Sequence, residues 1–233
     1  CSDVCSSDLV GPLKKDIEKY LNEREWEKYF AFTKHVMDLY FTINRNEERE
    51  YQQLIVRENN YSSISNGTDY FIIDIEYNNH KNARFDLVAI EWISETSKRR
   101  LLQNYKPKLV VLEMKYGDRA ISGKSGMKKH LDDFSKFISD KSSVKNFKDE
   151  MLEVFRQKRK LGLIPCLSAS RNNNKVDDFD EIIDFVFVIA NHDPASIKLK
   201  REIELCRDFY AGFITSNFIG YALFKNCVYN CKD

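Results

Sequence analysis

Three charged side chains sit in stretches that otherwise read as buried strand. Asp86 lies inside the run FDLVA (residues 85–89), and Glu113 and Lys115 close the run LVVLEMKYG (residues 109–117). Side chains alternate along a strand, so Glu113 and Lys115 share one face while Met114 takes the other. A charge inside an apolar strand is costly unless it is paired or holds a metal. If Asp86 faces Glu113 across neighbouring strands, two carboxylates and one ammonium converge. Such oxygens suit a hard divalent cation: Mg²⁺ (or Mn²⁺) takes one or two carboxylates, waters and a substrate phosphate. The lysine then orients or deprotonates a water and offsets charge building on a phosphorane-like transition state. The competing reading is a buried ion pair between Lys115 and Glu113 or Asp86 in an unrelated α/β protein.

Those residues need elements to hold them. Apolar residues at helical spacing run from Leu13 to Phe41, and a charged segment from Asn46 to Val56 carries Tyr51, Leu54 and Ile55 on one side. A polar break at residues 59–67 leads to three strand candidates, Thr68–Asn78, Arg84–Ile93 and Lys108–Gly117. Their proximity predicts an antiparallel meander, with a longer basic connection, Ser94–Pro107, between the second and third. Ser125 is placed to cap a helix striped by Met127, Leu131, Phe134 and Ile138. Ser142 or Ser143 is placed to cap another, with Val144, Phe147, Met151 and Phe155 inward. A strand over Ile182–Ala190, a helix over Ser196–Tyr210 and a last strand over Phe218–Phe224 complete the reading. The expectation is an α/β sandwich around a mixed sheet.

Phe85–Asp86 followed by Glu113–Met114–Lys115, in this order of elements, resembles the PD-(D/E)xK nuclease superfamily. Here Phe stands in place of the family's frequent Pro. The resemblance spans residues 45–190. It implies a restriction-endonuclease-like core of helix, three-strand meander, helix and strand, flanked by further helices. It also implies that Asp86 and Glu113 bind metal and that Lys115 assists the hydrolytic water. The family often adds a glutamate from its first core helix, for which Glu47, Glu48 and Glu50 are candidates. By strand alternation Asp74 and Glu76 share a face, and one of them is a candidate further ligand. Some relatives place Gln and Tyr where this chain has His130 and Phe134, which leaves His130 as a candidate phosphate contact or a helix-surface histidine. Lys124, Lys128 and Lys129 at the start of that helix are candidates for gripping phosphate.

Composition narrows the field. The chain has 233 residues, 42% hydrophobic and 31% charged, which suits a folded domain rather than disorder. No apolar run approaches the ~18 residues of a membrane span. Net charge is +1, yet residues 95–160 hold 18 Lys and Arg against 9 Asp and Glu, around the candidate site. A basic stretch there fits a polyanion. The six cysteines, Cys1, Cys5, Cys166, Cys206, Cys227 and Cys231, form no dense spacing pattern, so the expected compartment is reducing and cytoplasmic. The opening CSDVCSSDL resembles translated adapter read-through, so residues 1–9 are expected to be a non-native or disordered tail and residues 10–233 a single domain.

The functional expectation is a Mg²⁺-dependent nuclease acting on nucleic acid, DNA ahead of RNA, in defence, restriction or repair. Duplex cleavage by one site per chain would call for a homodimer or repeated nicking. One alternative is a non-catalytic nucleic-acid-binding module on the same fold. The other is a nucleotide-binding protein using Gly117–Ser125. That loop spaces its glycines by five residues where a P-loop needs four. His192 and Asp193 read as a turn, and Trp26 and Trp92 as core or rim aromatics.

Overall fold

The computed structural model describes residues 15–16, 18–22, 25–62, 64–65, 67–79, 83–94, 106–164, 176–193, 195–217 and 220–230. The expectations for residues 1–9, for most of the basic connection and for Cys1, Cys5, Cys166 and Cys231 lie outside these, as does the Trp26 side chain. The chain divides into two compact units, residues 1–50 and 51–233. The first holds helix α1, Trp26–Ile43, and the opening turn of α2, Glu47–Asn60.

The second unit carries the rest. In chain order come strands β1 (Tyr70–Asn78), β2 (Arg84–Glu91) and β3 (Leu109–Tyr116), and helices α3 (Met127–Ser139) and α4 (Lys141–Lys160). Then follow β4 (Ile183–Ala190), helix α5 (Ile197–Leu205), β5 (Ala211–Ser216) and a short β6 (Tyr229–Asn230). All six strands form one mixed sheet in the order β1-β2-β3-β4-β5-β6. β1, β2 and β3 make the antiparallel meander. β4 and β5 then run parallel to β3, which requires the helical crossovers that the sequence supplies.

Strand alternation divides the core in two. Val110, Leu112 and Met114 of β3 pack with Tyr51 and Ile55 of α2 on one face. Leu109 and Val111 pack with Met127, Leu131, Phe134 and Phe137 of α3 and Phe147, Met151 and Phe155 of α4 on the other. Strands covered on both faces have no solvent side, which is why β3 and β4 read as continuous apolar runs. By the same alternation Glu113 and Lys115 fall on the α3 side.

Several expectations are corrected. Ser125 does not cap α3: the cap position is Gly126, in extended conformation and with no side-chain cap. A Cβ on Gly126 would stand 2.6 Å from Ser122 Cα, so the tight approach of the loop demands glycine there. Neither Ser142 nor Ser143 caps α4. Asp140 does, accepting from their backbone N–H groups at 3.0 and 3.2 Å. The last long strand is Ala211–Ser216, not Phe218–Phe224. Gly212 packs so closely that an added Cβ would meet Val228 at 2.5 Å, and a strand glycine of this kind reads as a break in sequence. The segment expected to be strand instead docks Leu223, whose N–H donates to Asn59 Oδ1 at 2.9 Å while its carbonyl accepts from Asp69 N–H at 3.0 Å. Among the described residues no helix is long and apolar enough to cross a membrane.

Candidate active site

Phe85 and Leu87 are two residues apart on β2 yet point into opposite halves of the core. A regular strand would put them on one face, so alternation breaks at Asp86. Phe85 is locked among aromatic rings, with centroids 5.2 Å from Phe137 and 5.8 Å from Phe147. Pairing of β2 with β3 ends at Leu87–Leu112. Beyond that point the strand-to-strand ladder is replaced by a side chain: Asp86 Oδ2 accepts from Met114 N–H at 2.8 Å. That bond fixes Asp86, half-buried, one residue along β3 from Glu113.

Glu113 and Lys115 are both buried, at 2% and 4% exposure. Lys115 Nζ donates to Glu113 Oε1 at 2.8 Å. His130 Nδ1, on the first turns of α3, lies 2.9 Å from the same oxygen. Burial alone would raise the Glu113 pKa. The His130 hydrogen bond and the Lys115 charge outweigh it, so the carboxyl is held below its ordinary value. Glu113 Oε2 takes part in neither bond.

The remaining candidates separate. Asp74 and Glu76 do not share a face. A bulge at Ile73 and a left-handed backbone at Glu76 (φ 56°) interrupt the alternation of β1. Asp74 pairs with Val88 on the α4 side, where its charge partly counters the lowering that burial imposes on the Lys158 pKa. Glu76 instead bonds Gln52 of α2 and Arg84 of β2, at 3.2 and 2.9 Å. Glu47, Glu48 and Glu50 stand in the opening turn of α2, in the first unit, with Glu50 exposed. Lys124 is exposed in the β3–α3 loop, and Lys128 and Lys129 are exposed on α3, where Lys129 pairs with Asp133. In the 117–126 loop, the N–H groups of Ala120, Gly126 and Met127 are bonded to the carbonyls of Gly117, Gly123 and Ile121. These donors are spent within the loop rather than turned toward a ligand.

Two features escaped the sequence reading. Arg84, two residues before Asp86, stands in the field of three carboxylates: Glu76 first, then Asp86 and Glu113, hold its pKa above the ordinary value. Its position beside the acidic element was the available signal. Past the ends of β3 and β4, Asp118 Oδ1 and His192 Nδ1 are buried without a hydrogen-bond partner among the described residues. The turn itself is as expected, with Asp193 Oδ1 accepting from Ala195 N–H at 2.9 Å.

Among the described residues no group of three or more His, Cys, Asp and Glu side chains is placed to hold a metal. Two carboxylates are nonetheless the protein share that Mg²⁺ commonly uses, and each has one oxygen anchored by the fold, Asp86 Oδ2 and Glu113 Oε1. The residues therefore fit. Comparison with protein families, with curated proteins and with solved structures finds no match.

Proposed function

We propose that this protein is a metal-dependent nuclease with a restriction-endonuclease-like core, hydrolysing phosphodiester bonds in DNA. The observation that carries the reading is the junction of β2 and β3. There the ladder stops, Asp86 is turned onto Met114 N–H, and Glu113 and Lys115 emerge on the next strand. A purely structural Asp86 has no need of a break in its strand beside a buried carboxylate and ammonium.

In this reading Asp86 and Glu113 hold Mg²⁺, which when bound polarises a phosphoryl oxygen and acidifies a water. Lys115 and His130 keep the Glu113 carboxylate anionic and fixed in direction. In the same reading the Lys115 ammonium orients the attacking water and offsets negative charge growing on phosphorus. Lys124 and Lys128, exposed beside the site, contact backbone phosphates.

The test incubates purified protein with circular single-stranded DNA, supercoiled duplex and RNA, in Mg²⁺, Mn²⁺ or EDTA. Lys115→Ala and Asp86→Asn serve as controls, with folding checked by circular dichroism. Metal-dependent cleavage lost in both variants is the expected result, and cutting of closed circles identifies an endonuclease. A folded wild type that cuts none of the substrates overturns the reading and leaves an ion cluster on a binding module. Cleavage of RNA alone overturns the assignment to DNA.

A further inference from the structure

We infer that Arg84 is a phosphate-gripping residue beside the candidate site and that Glu76 is its anchor rather than a metal ligand. This rests on the nuclease reading and adds a guanidinium to the phosphate contacts that reading assigns to the lysines.

Arg84 opens β2, two residues before Asp86, and its side chain is 69% exposed. One guanidinium nitrogen, Nη2, is held 2.9 Å from Glu76 Oε2. The other Glu76 oxygen, Oε1, accepts from Gln52 Nε2 at 3.2 Å. Both carboxylate oxygens are thus engaged, one by a strand neighbour and one by the helix packed on that face. An ordinary cross-strand ion pair needs nothing more than two facing side chains. Here the backbone of Glu76 is in the left-handed region at φ 56°, which a non-glycine residue occupies only when its surroundings enforce it. The conformation turns Glu76 away from the Asp74 side and toward Gln52 and Arg84.

The consequence for Arg84 is pre-organisation. A guanidinium has five N–H donors in a planar fork, and anchoring one nitrogen of this exposed side chain reduces the rotamer freedom the others have left to lose. Such a fork matches two phosphate oxygens at once. Asp86 follows two residues further along the same strand. A phosphate drawn to Arg84 would therefore lie beside the stretch of β2 that carries Asp86, where a phosphate adjacent to the scissile one belongs.

Binding of a fluorescein-labelled DNA oligonucleotide to the whole protein in EDTA tests this without cleavage. The expected result is that Arg84→Ala weakens binding about tenfold or more and lowers the salt slope by about one. Arg84→Lys keeps the charge but loses the fork, and is expected to recover only part of the affinity. Glu76→Gln is expected to weaken binding less, with no added loss when combined with Arg84→Ala. In cleavage assays, Glu76→Gln is expected to leave the Mg²⁺ concentration for half-maximal rate unchanged, whereas a metal ligand would raise it. A wild type that binds while Arg84→Ala and Arg84→Lys bind equally well overturns the arginine assignment. A wild type that does not bind DNA or RNA overturns the nuclease reading instead.

Discussion

Replacing Lys115 by methionine removes one charge from the buried pair and keeps the volume. Glu113 then remains in place with side-chain exposure of 3%, accepting, among the described residues, from His130 alone. Removing one partner of a buried ion pair costs about 3–5 kcal/mol, because the other charge is left uncompensated. The His130 bond to the same oxygen places the expectation at the lower end, about 3 kcal/mol. For a chain of this size, each kcal/mol moves the melting midpoint by about 2–4 °C, so Lys115→Met should melt about 6–12 °C below wild type. Calorimetry or circular dichroism at neutral pH reads this directly. Glu113→Gln combined with Lys115→Met removes both charges, and the double variant should be less destabilised than the sum of the singles by about 1 kcal/mol or more. The pH dependence has a definite sign. The folded pKa of Glu113 is lowered, so the pair's stabilisation is complete above the ordinary glutamate pKa and is lost as pH falls through the lowered value. The gap between wild type and Lys115→Met should therefore narrow in acid. A Lys115→Met protein melting within about 2 °C of wild type at neutral pH would refute the buried pair and the geometry built on it.

Two further outcomes follow from the elements around the site. Phe85→Ala empties a ring-lined position against Phe137 and Phe147 and should cost about 3–5 kcal/mol of stability, read by urea titration. If the proposed nuclease reading holds, cleavage by the Phe85→Ala protein that stays folded should fall with it, since Asp86 loses the anchor that turns it; Phe85→Leu should retain more of both. Asp140→Ala removes the α4 cap and should lower the melting midpoint at pH 7. The cap donors hold the Asp140 pKa down to about 2, so that loss should shrink as pH falls from 4 toward 2, where wild type protonates too.

Much of the architecture was legible because periodicity is a local signal. The meander, the two amphipathic helices after β3 and the buried parallel strand β4 all announce themselves by spacing and by β-branched content. The misreadings share a cause. Gly212 looks like an interruption until Val228 and Val186 are seen to need the space, and Gly126 yields its role to Ser125 until Ser122 is seen behind it. The first requirement is distant in sequence, and the second is a backbone approach that residue types alone do not reveal. Asp140 was missed for a simpler reason: the two serines after it are equally good caps by type, and only the backbone geometry selects the aspartate.

The site divides along the same line. Glu113 and Lys115 were readable because regular alternation holds through β3, so two residues apart means one face. For Asp74 and Glu76 the same rule gave the wrong answer, because the bulge and the left-handed residue on β1 interrupt the pattern on which it depends. β2 breaks at Asp86 as well, and Glu76 and Asp86 occupy facing stretches of neighbouring strands. Irregularity is thus concentrated where charged side chains gather, while the apolar ends of the same strands pair in register. Sheet energetics favour the regular ladder wherever side chains only pack. A pair of adjoining breaks that aims Asp86 at Met114 N–H and Glu76 at Arg84 is therefore better explained by the work of the charged groups than by the needs of the core.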